Sequence, residues 1–230
     1  MEIKGVQKMS LIDYPARMAA VVFLPGCTFR CGFCHNPGLV EGWEKLKTVE
    51  EADLLAFLED RKGWLEGLVI TGGEPTMHKD LPEFIRKVKG LGYLVKLDTN
   101  GSNPAMLKGL IEEKLVDFIA MDIKGPREKY SEVAGVKVDI KLIEESVKLA
   151  RESGLEYEFR TTVVPGLLGK EDIIKIGEWL KGSERYFIQQ FISRDTLDAG
   201  LKNRAPYKPE ELREMAEAAR PYFGKVEVRI

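Results

Sequence analysis

Short apolar runs recur along this chain, each followed by a stretch with helical spacing, and that alternation constrains the fold most. Ala19-Ala20-Val21-Val22-Phe23-Leu24 and Gly67-Leu68-Val69-Ile70-Thr71 are two such runs. Others are Tyr93 to Leu97, Val116 to Ile123, Tyr157 to Val164 and Tyr186 to Phe191. Continuous rather than alternating apolar character marks strands covered on both faces, as in parallel sheets. The intervening segments read as helices. Thr48 to Arg61 places Leu54, Leu55 and Leu58 on one side, with Thr48 as the expected N-cap. Asp80 to Lys89 carries Pro82 in its first turn, where proline is tolerated. Pro104 to Glu113, Asp139 to Glu152 (stopped by Gly154), Lys170 to Lys181 and Pro209 to Ala219 complete the set. Val6 to Ala20 reads as a lead-in strand and a turn broken at Pro15, and Val226 to Ile230 as a terminal strand. Strand–helix alternation implies an α/β fold with a parallel sheet and right-handed crossovers. Six units are too few for a closed eight-fold barrel. Periodicity alone does not separate an open partial barrel from a doubly wound sheet.

Nothing in the bulk properties argues for more than one domain, expected over 1–230. Apolar and charged fractions of 44% and 31% read as soluble and globular. A net charge of −2 gives no reason to expect nucleic acid. No apolar run approaches the roughly 18 residues of a membrane span, and Met1-Glu2-Ile3-Lys4-Gly5 has no signal-peptide core. Free thiols without an export signal point to a reducing, cytoplasmic setting.

The three cysteines of the chain all fall in Cys27-Thr28-Phe29-Arg30-Cys31-Gly32-Phe33-Cys34, a C-x3-C-x2-C array after the first buried strand. An odd count at such spacing suits a metal better than disulfides. Three thiolates can hold three corners of an iron–sulfur cube, which normally takes four cysteines, leaving one iron for a small molecule. A structural zinc site, with His35 as fourth ligand, is the competing reading. Gly26 and Gly32 suit a tight exposed loop.

Polar residues then collect at one strand end after another, where barrel-like sheets place their sites. Gly72-Gly73-Glu74-Pro75 follows the second strand, and its glycines permit close backbone approach to a ligand. Asp98-Thr99-Asn100-Gly101 ends the third. Along the fourth, Ile119, Met121 and Ile123 share one face, while Phe118, Ala120, Asp122 and Lys124 share the other. Burying both charges without partners would cost several kcal/mol per ion, so they meet a ligand or a wet rim. Along the fifth, Tyr157, Phe159 and Thr161 oppose Glu158, Arg160 and Thr162, and an inward Arg160 can clamp a carboxylate.

With Phe33 in its aromatic place, the array resembles the signature of the radical S-adenosylmethionine (SAM) superfamily. The resemblance implies an open (β/α)6 partial TIM barrel. It narrows to the glycyl-radical-enzyme activating enzymes, such as those of anaerobic ribonucleoside-triphosphate reductase and pyruvate formate-lyase. The stretches that carry it are Ser10-Leu11-Ile12-Asp13-Tyr14-Pro15, Cys34-His35-Asn36-Pro37, Asp98-Thr99-Asn100-Gly101, Asp122-Ile123-Lys124 and Arg160 through Gly166. It implies Cys27, Cys31 and Cys34 as ligands of a [4Fe–4S] cluster, whose open iron chelates SAM. Phe33 and Asn36 would lie near the adenosyl group. Gly72, Gly73 and Glu74 would hold the amino end. Thr99, Lys124, Arg160 and Thr162 would meet the carboxylate and ribose. Asp98, Thr99 and Asp122 match positions that hold a monovalent cation beside SAM in the formate-lyase activator. A histidine of that enzyme near the sixth strand is replaced here, with Gln190 as the candidate substitute. No further cysteine-rich insert is present, so one cluster is expected.

The implied reaction is reductive cleavage of SAM to a 5′-deoxyadenosyl radical, which removes hydrogen from a glycine of a partner glycyl radical enzyme. Ferredoxin or flavodoxin would supply the electron. The alternatives are a radical SAM enzyme acting on a small molecule and a non-catalytic metal-binding module. Against the former, 7-carboxy-7-deazaguanine synthases show Cys-Asp-Thr where this chain has Cys34-His35-Asn36. His35 reads as structural, His78 as a surface residue, and Asp195 to Lys208 as a solvated loop.

Overall fold

In the computed structural model, which describes all residues from Met1 to Ile230, eight strands form one sheet ordered β1 through β8 as in the chain. They are β1 (Gly5–Ser10), β2 (Ala19–Leu24), β3 (Gly67–Gly72), β4 (Leu94–Thr99), β5 (Phe118–Asp122), β6 (Glu156–Val163), β7 (Ser183–Gln190) and β8 (Phe223–Arg229). Strands β2 to β8 are parallel, and β1 pairs antiparallel with β2. The helices are α1 (Pro37–Val40), α2 (Glu51–Asp60), α3 (Leu81–Gly90), α4 (Pro104–Glu112), α5 (Tyr130–Ala134), α6 (Ile140–Glu152), α7 (Lys170–Leu180) and α8 (Pro209–Ala219). The units β2–α2 through β7–α8 are the six expected from the alternation, and β8 adds a seventh parallel strand.

The sheet has two unlike faces. Val22, Leu24, Leu68, Ile70, Leu97, Ile119, Met121, Phe159 and Ile188 belong to the main core with residues of α2, α3, α4, α6, α7 and α8. The opposite face carries a smaller apolar cluster of Tyr14, Ala19, Val21, Val69, Phe118 and Ala120. Beyond that cluster, towards the C-terminal strand ends, the same face turns polar. The face assignments read from the sequence for β5 and β6 hold. Amphipathic helices therefore cover only one side of the sheet, leaving the other to build a site.

Three local expectations change. The second helix begins at Glu51 with Glu50 as N-cap. Thr48 instead accepts a hydrogen bond from Lys4 Nζ at 2.9 Å, tying the chain before α2 to the residue that precedes β1. His78 is half-buried, and its Nε2 lies 2.8 Å from the Pro25 carbonyl oxygen. The segment Asp195 to Lys208 is not simply solvated. The Asp198 amide donates to Gly32 O at 2.8 Å, Thr196 is buried, and Leu201 packs into the core. No helix is long and apolar enough to cross a membrane.

Candidate functional site

Close backbone contacts hold the cysteine loop on both flanks. On one side the Gly73 amide donates to Leu24 O at 2.9 Å and the Glu74 amide to Gly26 O at 2.8 Å. A β-carbon on Gly73 would sit 1.7 Å from Gly26 O, and one on Gly72, at φ 126°, would sit 2.3 Å from Leu24 O. Only residues without side chains let the β2 and β3 ends approach this closely. On the other side the Arg30 amide donates to Ala134 O at 2.8 Å. Gly135 lies against Arg30 O, where a β-carbon would come within 2.1 Å. Arg30 Nη1 closes the loop on itself, donating to Cys27 O and Phe29 O, each at 2.8 Å.

The loop faces a cavity of about 300 Å³ at the C-terminal strand ends. All three cysteines line it, with Phe33, Asn36, Gly72, Gly73, Asp98, Thr99, Asp122, Lys124, Arg160 and Thr162. The structure thus gathers every expected site residue but one. Glu74 is fully buried away from the lining. Its carboxylate accepts from the Thr76 amide at 3.0 Å, Thr76 Oγ1 at 2.5 Å, Thr99 Oγ1 at 2.7 Å and the Asn100 amide at 2.6 Å. It braces the β3 end against the β4 end. Asp13, Asn100 and Gln189, to which the sequence reading gave no role at the site, also line the cavity, as does His35, which read as structural. Gln189, not Gln190, reaches the cavity, while Gln190 Nε2 donates to Tyr207 O at 2.6 Å. Strand alternation around Arg160 and Thr162 and across to β7 was the available signal.

Charge in the cavity is organised by strand register. Asp122 on β5 is paired with Arg160 on β6, and Ala120 separates Asp98 from Glu158. Strands lie about 4.8 Å apart, so β4 and β6 are roughly 10 Å from each other. The small side chain of Ala120 leaves that span open to the Arg160 guanidinium. Arg160 Nε donates to Asp122 Oδ1 at 2.9 Å, and Nη1 to Asp98 Oδ2 at 3.2 Å. Lys124 Nζ donates to Asp122 Oδ2 at 3.1 Å, and Lys96 Nζ to Asp98 Oδ1. Burial alone would raise the Asp98 carboxyl, but Arg160 and Lys96 hold it below the ordinary carboxylate range. For Asp122 the same opposition is won by Arg160 and Lys124.

The donor set fits an iron–sulfur cluster gripped at three corners. The thiols are unpaired and converge on one cavity. The Phe29 amide (3.4 Å) and Asn100 Nδ2 (3.7 Å) point at Cys27 Sγ, as hydrogen-bond donors do at ligating sulfurs. Burial pushes the Cys31 thiol up to about 11 and raises that of Cys27, with Lys124 opposing both. The pair would carry thiolate charge when a metal or a cation answers it.

Residues 21–180 match the family model of the radical SAM superfamily. The chain belongs to the radical SAM superfamily. It is an enzyme of that family, and the family implies a [4Fe–4S] cluster and SAM at the cavity described. A protein of Methanocaldococcus jannaschii, provisionally named a glycyl-radical enzyme activating enzyme, is 36% identical over 99% of this chain and 95% of its own length. The pyruvate formate-lyase-activating enzyme of Staphylococcus epidermidis is 27% identical over 77% of this chain and 74% of its own. Among solved structures, Streptococcus suis SuiB bound to the precursor peptide SuiA superimposes with a TM-score of 0.68 at 18% identity. That match covers 90% of this chain and 48% of SuiB, a likeness of fold. The superfamily match replaces the zinc-module alternative. It also agrees with the partial-barrel form expected of the sheet.

Proposed function

We propose that this radical SAM enzyme is an activase for a glycyl radical enzyme. The observation that carries the reading is the likeness to the Methanocaldococcus protein provisionally named an activating enzyme, over nearly the whole length of both chains. When bound, the cluster supplies the electron that cleaves SAM. The chain's own part is to hold the nucleoside against it and to keep water out. Cys27, Cys31 and Cys34 hold the metal. Phe33 and Asn36 flank the adenosyl group. The backbone of Gly72 and Gly73 meets the amino end, because the Glu74 carboxylate is fully engaged elsewhere. Lys124 and Arg160, with Thr162 beside them, take the carboxylate and ribose. Lys124, Arg160 and Lys96 outnumber Asp98 and Asp122 by one positive charge, which suits an incoming carboxylate.

The partner is a protein whose glycine-bearing loop enters beside Asp13. Leu11 and Ile12, exposed on the turn after β1, offer an apolar rim there. A ferredoxin or flavodoxin supplies electrons.

The test is anaerobic reconstitution with iron and sulfide, then dithionite and SAM. The expected products are 5′-deoxyadenosine and, with a glycyl-radical-type partner present, an EPR doublet on the partner. Deoxyadenosine coupled to turnover of a small molecule, with no partner radical, would sink the activase reading. Replacing any one cysteine by serine should abolish iron retention and SAM cleavage while leaving the far-UV CD spectrum intact.

A further inference from the structure

The residues that the resemblance offers to a monovalent cation, Asp98, Thr99 and Asp122, do not fit one. All four carboxylate oxygens already face a cationic donor. Asp98 Oδ1 takes Lys96 Nζ, and Asp98 Oδ2 takes Arg160 Nη1 at 3.2 Å. Asp122 Oδ1 takes Arg160 Nε at 2.9 Å, and Asp122 Oδ2 takes Lys124 Nζ at 3.1 Å. The Thr99 hydroxyl donates to Glu74 at 2.7 Å and accepts from the Gly101 amide at 3.1 Å. A small cation placed among these groups would displace an ammonium or guanidinium and sit against the remaining ones, with like charges at contact distance.

Lys96 is the unusual member of this arrangement. It is 1% exposed, in the middle of a strand, on the same face as Asp98. Lysine is almost never fully buried unless paired. Its stem lies on the same face as the apolar cluster, with Nζ 5.8 Å from the Phe118 ring centre. Its ion-pair partner is Asp98, two residues along the same strand. Phe118 sits opposite Lys96 in the register and Ala120 opposite Asp98, so the ammonium is fenced by a ring on one side and has room on the other. Lys96 neither lines the cavity nor reaches its mouth. It acts on the site through Asp98, which in turn holds one arm of the Arg160 guanidinium.

We propose that the Lys96 ammonium stands in for a monovalent cation at this site, so that the protein's stability and its affinity for SAM are indifferent to Na⁺ and K⁺. Lys96 is then a positioning residue. It fixes Asp98 from beneath, leaving Arg160 oriented, while Lys124, paired with Asp122, keeps further ammonium hydrogens for a ligand. The SAM part of this inference rests on the cofactor assignment above; the stability part does not.

The experiment compares the cluster-loaded protein in sodium, potassium and tetramethylammonium chloride at matched ionic strength. Melting temperature and SAM dissociation constant are the readouts. A cation site filled at a hundred times its dissociation constant raises the melting temperature of a chain this size by roughly 5–10 °C. The wild type should show no such difference, and SAM affinity should stay within about twofold across the salts. The Lys96→Met variant, which keeps the bulk and removes the charge, should gain a saturable response to Na⁺ or K⁺ in both readouts, together with sodium-23 line broadening.

A saturable Na⁺ or K⁺ response in the wild type would overturn the proposal, even if the variant failed to fold. A folded Lys96→Met protein that ignores all three salts would overturn it as well. Absence of SAM binding in every salt would strike the cofactor assignment instead, and the melting temperatures would still decide the role of Lys96.

Discussion

At Gly73 a β-carbon would lie 1.7 Å from the Gly26 carbonyl oxygen, a contact that moves backbone rather than a side-chain tip. Gly73→Ala should therefore destabilise the protein by about 3 kcal/mol or more in urea unfolding, since forced overpacking of this kind sits at the upper end of its usual range. It should also lower iron retention after reconstitution, because the displaced segment leads into Cys27. Gly38→Ala, with nothing within 4 Å of the added carbon, is the matched control and should leave both unchanged. Individual residues also show where the sequence stopped being informative. The Gly-Gly-Glu spacing located Glu74 but does not say which way its carboxylate turns; the Thr76, Thr99 and Asn100 donors decide that. Lys96 was readable in principle, because a period of two puts it on the face of Asp98. A buried lysine is improbable enough that the pattern alone does not suggest it.

Among the elements, β8 does more than extend the sheet. Its Arg229 forms a bidentate pair with Glu158 of β6, at 2.8 and 2.9 Å, and stacks over Phe187 with 3.6 Å to the ring centre. Glu158 is 1% exposed, so β8 neutralises a carboxylate buried two strands away. Arg229→Ala leaves that charge with Arg160 at 3.9 Å as its nearest compensation. The expected cost is about 3 kcal/mol, read as a lower urea midpoint, with Glu158→Gln in the same background restoring part of it. The sequence marked a terminal strand here but carried no sign of its partner, because the pairing is set by register across β7. The antiparallel seating of β1 was equally hidden, since Pro15 announces a turn without fixing the direction of return. The helices of the six repeating units were legible to within a few residues, whereas the short α1 and α5 were not read. Thr48 is not the N-cap because Val49 bridges Ile3 in extended conformation, so the helix starts only at Glu51.

For the molecule as a whole, the charged face makes stability depend on acid. Asp98 and Asp122 have folded values depressed below the ordinary 3.8, burial being outweighed by Arg160, Lys96 and Lys124. Their contribution is fully present above that value and is lost as pH falls towards the depressed folded values. Stability measured by urea titration should hold near neutrality and decline below about pH 4, and Asp122→Asn should flatten that decline. The α/β class and the six repeating units were legible because strands covered on both sides have continuous apolar runs. The partial-barrel form was not, since periodicity reports burial and not curvature; only the resemblance supplied it. Strand order in the sheet equals order in the chain. During synthesis every strand therefore meets a neighbour that has already left the ribosome, and the sheet can grow in one direction without waiting for a distant partner. The cysteines emerge together within eight residues, long before Arg160 and Gln189 are made. A nascent chain thus presents its thiols before the pocket that will shelter them exists.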